Sequence, residues 1–369
     1  MNRRAALAPL IFLLGLSFAA PVRAGEADDV EAAVLAIEEA FVGAVRAIRP
    51  SVVAITVAGL DAPAPEPAPR DPDEPVRPRA EERREPVPEG GMGSGVIVSA
   101  DGYVLTNHHV AGSARSVRVT LLSGKRVPAT LVGTNPRGDL TLLKIPGEGH
   151  PFCEIGPDTG PEPGAWAIAM GNPFTLGADG SSVVTLGVVS GLHRVQPGTS
   201  EGDLFYGSAI QTDAEINPGS SGGPLFDIHG RLIGINGRIA NARGHRVNAG
   251  VGFAISARQI RRFLPALKRG GQVSHGFLGV RYATKEVDAR GIEVTFVFPG
   301  SPADEAGLEA ADRITSFDGV PITSGVRFAA VMSTLPEGAA VAIEARRDAR
   351  ELALDAKLAR RPTAEDGAR

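Results

Sequence analysis

From Gly93 to about Ile255 the chain is a succession of short apolar runs cut by Gly, Asn, Asp and Pro. Gly95-Val96-Ile97-Val98, a turn at Asp101-Gly102, and Tyr103-Val104-Leu105-Thr106 set the pattern as a hairpin. Runs this short cannot carry the helical crossovers of a parallel sheet, so the rhythm points to barrels or a sandwich. Composition agrees. With 46 glycines and 29 prolines in 369 residues, long amphipathic helices cannot dominate, and the fold is expected to be mainly β.

A chain of 369 residues exceeds one ordinary domain. We divide it into a signal peptide at 1–24, an N-terminal helix and first strand at 25–60, a disordered insertion at 61–90, a β body at 91–270, a second unit at 275–360 and a loose tail at 361–369. The signal is read from Arg3 and Arg4, the apolar run Ala5 to Ala20, and Val22-Arg23-Ala24 as a cleavage site. That run is short for a membrane span, so export to the periplasm is expected over an N-terminal anchor. Apolar residues three or four apart, Val30, Val34, Ile37, Phe41, Val45 and Ile48, predict a helix over 27–48 ended by Pro50. The 61–90 stretch is Pro, Ala and charge, with almost nothing to bury. Ser256 is placed to cap a helix over 257–268. The second unit mixes strands, Phe277 to Tyr282 first, with helices over 303–308 and 326–335, a small α+β domain.

Several functions are excluded early. A net charge of -4 with mixed signs offers no basic footprint for nucleic acid. Cys153 is the single cysteine, so neither an intrachain disulfide nor a cysteine metal cluster can form. There is no H-E-x-x-H and no phosphate-binding G-x-x-x-x-G-K-[ST], and no metal or cofactor is expected.

The chemistry-bearing stretch is Asp213-Ala214-Glu215-Ile216-Asn217-Pro218-Gly219-Ser220-Ser221-Gly222-Gly223. A serine among glycines can present its hydroxyl beside backbone N–H groups that receive an oxyanion. The hydroxyl needs a base, and the base needs a group that holds its tautomer. Of seven histidines, His108 and His109 directly follow an apolar strand; the others sit in polar or Gly-rich turns. Asp139 opens the apolar segment Leu140-Thr141-Leu142-Leu143, where a carboxylate can sit buried behind an imidazole. Gly219 to Gly223 also fits G-x-S-x-G, the elbow of an esterase. That elbow needs a helix after the serine and its partners downstream, whereas Pro224-Leu225-Phe226 leads to a turn and a strand. The order His…Asp…Ser is that of chymotrypsin-like proteases.

With these residues in order, the chain resembles the HtrA/Deg serine proteases. The resemblance rests on Gly93-Ser94-Gly95-Val96-Ile97-Val98, His109-Val110, Asp139-Leu140, Ala169-Met170-Gly171-Asn172-Pro173-Phe174, Gln211 to Gly219, Ser221-Gly222-Gly223-Pro224-Leu225 and Gly250 to Ile255, and spans roughly 27–358. It implies a chymotrypsin-like double β-barrel followed by one PDZ domain. It makes His109 the base, Asp139 its orienting acid and Ser221 the nucleophile. The N–H groups of Gly219 and Ser221 would form the oxyanion hole, and Ile216 would line the specificity pocket. In the second unit Gly276, Phe277, Leu278 and Gly279 resemble the loop that holds a peptide C-terminus. The implied protein is an ATP-independent endopeptidase of unfolded or damaged proteins, a homotrimer or larger, without cofactor. The alternative is a peptide-binding chaperone or adaptor with a silent site. Two positions depart from the family: Ser220, usually Asn, and Ala311, usually Gly.

Overall fold

A computed structural model describes residues 24–60, 91–172, 182–196, 206–239, 250–283 and 291–360. The expected signal (apart from Ala24), the 61–90 insertion and the tail from 361 lie outside the described residues. The periodic N-terminal segment forms α1 (Ala24–Ile48). Val30, Val34 and Ile37 on that helix are exposed. Periodicity predicts an apolar stripe; what covers the stripe is a separate matter. Pro50 stands in a 3-10 turn over Arg49–Ser51, where its missing N–H costs nothing.

The first barrel comprises β1 (Val52–Leu60), β2 (Met92–Ile97), β3 (Tyr103–Thr106), β4 (Ala114–Thr120), β5 (Arg126–Asn135) and β6 (Leu140–Lys144), with α2 (His108–Ala111) after β3. Hydrogen bonding runs β5-β4-β1-β2-β3-β6, and β5 also pairs β6, which closes the cylinder. Alternation sends side chains to opposite faces, so Val117 and Val119 of β4 are buried while Arg118 is exposed. They join Val53, Ile55, Ile97 and Leu143 in one core. The second barrel is closed in the order β10-β11-β12-β9-β8-β7. Its strands are β7 (Trp166–Gly171), β8 (Val183–Gln196), β9 (Tyr206–Thr212), β10 (Pro224–Phe226), β11 (Leu232–Ile239) and β12 (Gly252–Ser256). Helix α3 (Ala257–Arg269) follows, capped where Ser256 Oγ accepts from the Gln259 N–H at 3.3 Å.

Cys153 lies between the barrels in sequence, and its N–H donates to Ile97 O at 3.1 Å. Burial pushes its thiol up to about 12. At pH 8 the reactive thiolate is then a fraction of ~10⁻⁴, so the folded protein should resist maleimide and label stoichiometrically only in denaturant. Rapid labelling of the native chain, read by mass spectrometry, would contradict this packing.

After α3, β13 (Gly271–Gln272) adds to the first-barrel sheet by pairing β5 in parallel; the second unit follows as β14 (Gly276–Phe277), β15 (Val280–Tyr282), β16 (Ile292–Val297), α4 (Pro302–Glu305), β17 (Arg313–Phe317), β18 (Val320–Pro321), α5 (Gly325–Ser333), β19 (Ala340–Arg347), β20 (Arg350–Lys357) and β21 (Ala359–Arg360). The sheet runs β15-β16-β17-β19-β20, with β18 on β17, and β14 pairs β21. Phe317 and Phe328 meet edge to face inside it, with ring centroids 5.1 Å apart. The strand expected from Phe277 to Tyr282 is split. Leu278 buries in this core, and the carbonyls of Leu278 and Gly279 turn to accept from Ala303 N (2.9 Å) and Phe298 N (2.9 Å). The helix expected over 303–308 is only the single turn α4.

Ala311 adopts φ 76, the left-handed region where the family's usual glycine is at ease. Asp312 enforces the turn. Its buried carboxylate takes Arg347 Nε at 2.8 Å, Arg347 Nη2 at 2.9 Å and the Glu309 N–H at 2.8 Å. Burial pushes this carboxyl up, but the Arg347 and Glu309 hydrogen bonds outweigh it and hold the group below the ordinary carboxylate range. Ala311→Gly should therefore stabilise the unit by about 0.5–1 kcal/mol, relief of left-handed strain less the added freedom of the unfolded chain. A urea midpoint that falls instead would contradict the strain.

Candidate active site

Asp139 stands in the turn between β5 and β6 at φ 53, a left-handed conformation that Asp tolerates better than most residues. The turn is held by Asn107 Nδ2, which donates to Asp139 O at 3.1 Å. The carboxylate is 1% exposed and points at His109 on α2. Its Oδ1 accepts the His109 backbone N–H at 3.0 Å, and its Oδ2 lies 2.8 Å from His109 Nδ1. The imidazole remains 36% exposed, so one ring nitrogen is tied to a buried anion while the ring stays accessible. An imidazole held this way can accept a proton at Nε2 and be stabilised as a cation from behind. His108 does something else: its Nδ1 sits 2.6 Å from Thr134 Oγ1. Burial lowers its pKa, offset only in part by the Asp139 charge, so it stays a neutral structural group.

Ser221 comes from the loop before β10. Asn217 to Ser220 make a turn in which Ser220 N donates to Asn217 O at 2.9 Å and Gly219 has φ 98. Positive φ at the third position after a proline defines a type II turn, which Gly alone fits without strain. The loop is pinned to the first barrel by Ser94. Ser94 Oγ donates to Gly219 O at 2.7 Å and accepts from Asn172 N at 2.8 Å, while Ser94 N donates to Ser221 O at 2.8 Å. Thr106 Oγ1 in turn donates to Ser94 O at 2.7 Å. At Gly222, φ 83, an added Cβ would collide with Thr106 Oγ1 and the Ser94 carbonyl, so the two barrels approach over bare backbone. Ser220 is buried, and its carbonyl accepts from Gly223 N at 3.0 Å. The substitution for asparagine thus leaves these loop backbone bonds made. Ser221 Oγ donates to Gly237 O at 3.3 Å.

Ile216 is 1% exposed in the second-barrel core, facing Gly252, where a Cβ would stand 2.7 Å from its Cδ1. The neighbouring Glu215 carboxylate accepts from Asn217 Nδ2 at 2.7 Å. Gly276 and Phe277 lie in β14, far along the chain from Ser221, in the second unit. No helix follows Ser221; β10 does, which removes the esterase elbow. Sequence reasoning missed two residues at this site. Ser94 entered only as one residue of the Gly93–Val98 motif, with no role of its own, and Tyr206, whose Oη reaches Asp139, carried no local signal.

The trypsin-like peptidase domain family matches residues 93–235, and the PDZ domain family matches 276–358. A DegP-like periplasmic serine endoprotease of Chlamydia pneumoniae is 37% identical over 290 residues, 76% of this chain and 57% of that one. A DegP-like relative from Pseudomonas fluorescens is 37% identical over 284 residues, 74% and 57% of the two chains. The chain therefore spans little more than half the length of these curated relatives. Among solved structures, the HtrA-type protease AlgW with a tripeptide superposes at TM-score 0.62 and 31% identity, covering 88% of this chain and 98% of that one. A serine endoprotease from Yersinia pestis superposes at TM-score 0.52 and 28% identity, covering 87% and 98%. Two closed barrels with a His–Asp pair at their seam, both domain families in order, and near-complete coverage of AlgW place the chain in the HtrA family of trypsin-like serine proteases carrying a PDZ domain.

Proposed function

We propose that the protein is an ATP-independent serine endopeptidase of the cell envelope that cleaves unfolded or damaged proteins through an acyl-enzyme. The observation that carries this reading is the buried Asp139 carboxylate bound to the accessible imidazole of His109, with the Ser221 loop tied to the same barrel through Ser94. In the reaction His109 Nε2 takes the Ser221 proton as Oγ attacks the scissile carbonyl. Asp139 holds the Nδ1–H tautomer and stabilises the imidazolium. The N–H groups of Gly219 and Ser221 receive the oxyanion, each donor contributing about 3 kcal/mol to the transition state. His109 returns the proton to the leaving amine, and water releases the acyl group by the same steps reversed. The Ser221 hydroxyl leaves Gly237 O for His109 when substrate binds. Ile216, buried in the second-barrel core beside Gly252, is assigned to the base of the specificity pocket by the family resemblance, a role that would favour small or medium apolar residues before the cut.

The PDZ unit binds peptide C-termini by strand addition. Support comes from β15, an edge strand directly after the Gly276–Gly279 loop, and from the AlgW structures, which hold a tripeptide or a decapeptide. The periplasmic naming of the relatives and the signal expected at 1–24 support export, and the resemblance to the HtrA/Deg proteases implies a homotrimer or larger assembly. The deciding experiment is a fluorophosphonate probe on the full chain. Covalent labelling of wild type, lost in Ser221→Ala, is expected alongside casein degradation. A folded wild type that neither labels nor cleaves would leave the silent peptide-binding adaptor as the function.

A further inference from the structure

We infer that Tyr206 is a positioning residue of the triad, holding the catalytic acid from the opposite barrel; this rests on the protease reading above. Tyr206 begins β9 of the second barrel and is 1% exposed. Its Oη donates to Asp139 Oδ2 at 2.5 Å, across 67 residues of sequence. Oδ2 is also the oxygen nearest His109 Nδ1, at 2.8 Å. The buried carboxylate thus has three donors: the His109 backbone N–H, the His109 ring N–H and the phenol. The first two come from the residue that moves a proton. The phenol is the donor that does not, and hydrogen bonds to an ionised acceptor are the stronger kind.

The slot for this hydroxyl is built by omission. At Gly237 an added Cβ would overlap Tyr206 Oη and stand 2.9 Å from Cζ. The carbonyl of the same Gly237 accepts from the nucleophile Ser221 Oγ at 3.3 Å. One glycine therefore meets the phenol on its Cα side and the nucleophile on its carbonyl, linking the two ends of the triad through the second barrel. Tyr206 contributes two things. It fixes the plane of the Asp139 carboxylate so that Oδ2 meets Nδ1–H, and it shares that oxygen with the imidazole, setting how strongly the acid pulls on the ring proton.

The test is Tyr206→Phe in the full chain, which keeps the ring and deletes the donor. On fluorescein-labelled casein kcat should fall about tenfold with KM unchanged, the size of one charge-assisted hydrogen bond. The low-field proton resonance of His109 Nδ1–H should move downfield, because Oδ2 no longer serves a second donor. A tyrosine that only fills the core would leave that resonance in place. In an Asp139→Asn background, Tyr206→Phe should cost less than about twofold, because the route through the carboxylate is already broken. If Tyr206→Phe fails to fold, site-specific 3-fluorotyrosine at 206, a stronger donor of nearly the same shape, should move the resonance upfield. Unchanged kcat and resonance in Tyr206→Phe, an unmoved resonance in the fluorinated protein, or independent multiplication of the two substitutions would each overturn the inference. Failure of the protease reading is separate: there the wild type itself does not label with fluorophosphonate.

Discussion

Ser221→Ala is expected to lower casein turnover by about 10⁴–10⁶-fold while the chain stays folded. Among the described residues the hydroxyl bonds to Gly237 O, at 3.3 Å, so its removal costs little stability. The loop that carries it does not depend on that bond. Ser94 holds Gly219 O and Ser221 O, and Gly222 and Gly223 bond through backbone to Asn236 O and Ser220 O. The oxyanion donors are backbone groups, so they survive the substitution and a small residual rate over water should persist. Initial rates on labelled casein beside a thermal melt decide the matter. A variant within tenfold of wild type would remove Ser221 as nucleophile, and a collapsed melt would contradict the backbone bonding of the loop to Ser94, Asn236 and Ser220.

Asp139→Asn should reduce kcat by about 10⁴-fold. The reason is donor arithmetic at a buried group. Asp139 faces the His109 N–H, the His109 ring N–H and the Tyr206 hydroxyl, all of them donors. An amide offers one accepting oxygen and turns its other end into a donor. If the amide NH₂ faces His109 Nδ1, the ring must carry its proton on Nε2, where it cannot receive one from Ser221. Fluorophosphonate acylation rates across pH 6–9 measure this directly. A loss below about tenfold would mean that Asp139 orients nothing, whatever its distance from the imidazole.

These residues differ in how visible they are before folding. Ser221 announces itself through its glycine neighbours, because the sharp turn it needs requires particular residue types at adjacent positions. The helix cap at Ser256 and the strands around Asp101-Gly102 are legible for the same reason, as local backbone chemistry. His109 against His108 is not legible from the residues alone. Both follow one strand, and only the short turn of α2 sends one ring to Asp139 and the other to Thr134. The stripe on α1 is legible as a helix but not as a pattern of burial. Its spacing marks a helix correctly, yet Val30, Val34 and Ile37 stay exposed. Leu278 and Gly279 break an apolar run because their carbonyls are drawn to Ala303 and Phe298.

Residue order and neighbour chemistry were enough to establish a β-rich body, a serine on a glycine loop, the His…Asp…Ser arrangement and a separate small domain with PDZ-like motifs. Those properties depend on contacts within a few residues along the chain, where φ preferences and two-residue alternation act. The seam belongs to tertiary structure. Tyr206 meets Asp139, Ser94 meets Gly219 and Ser221, and Gly222 meets Thr106 only because two separately closed barrels pack edge against edge. No local preference encodes those distances; they follow from where each barrel's closure leaves its loops.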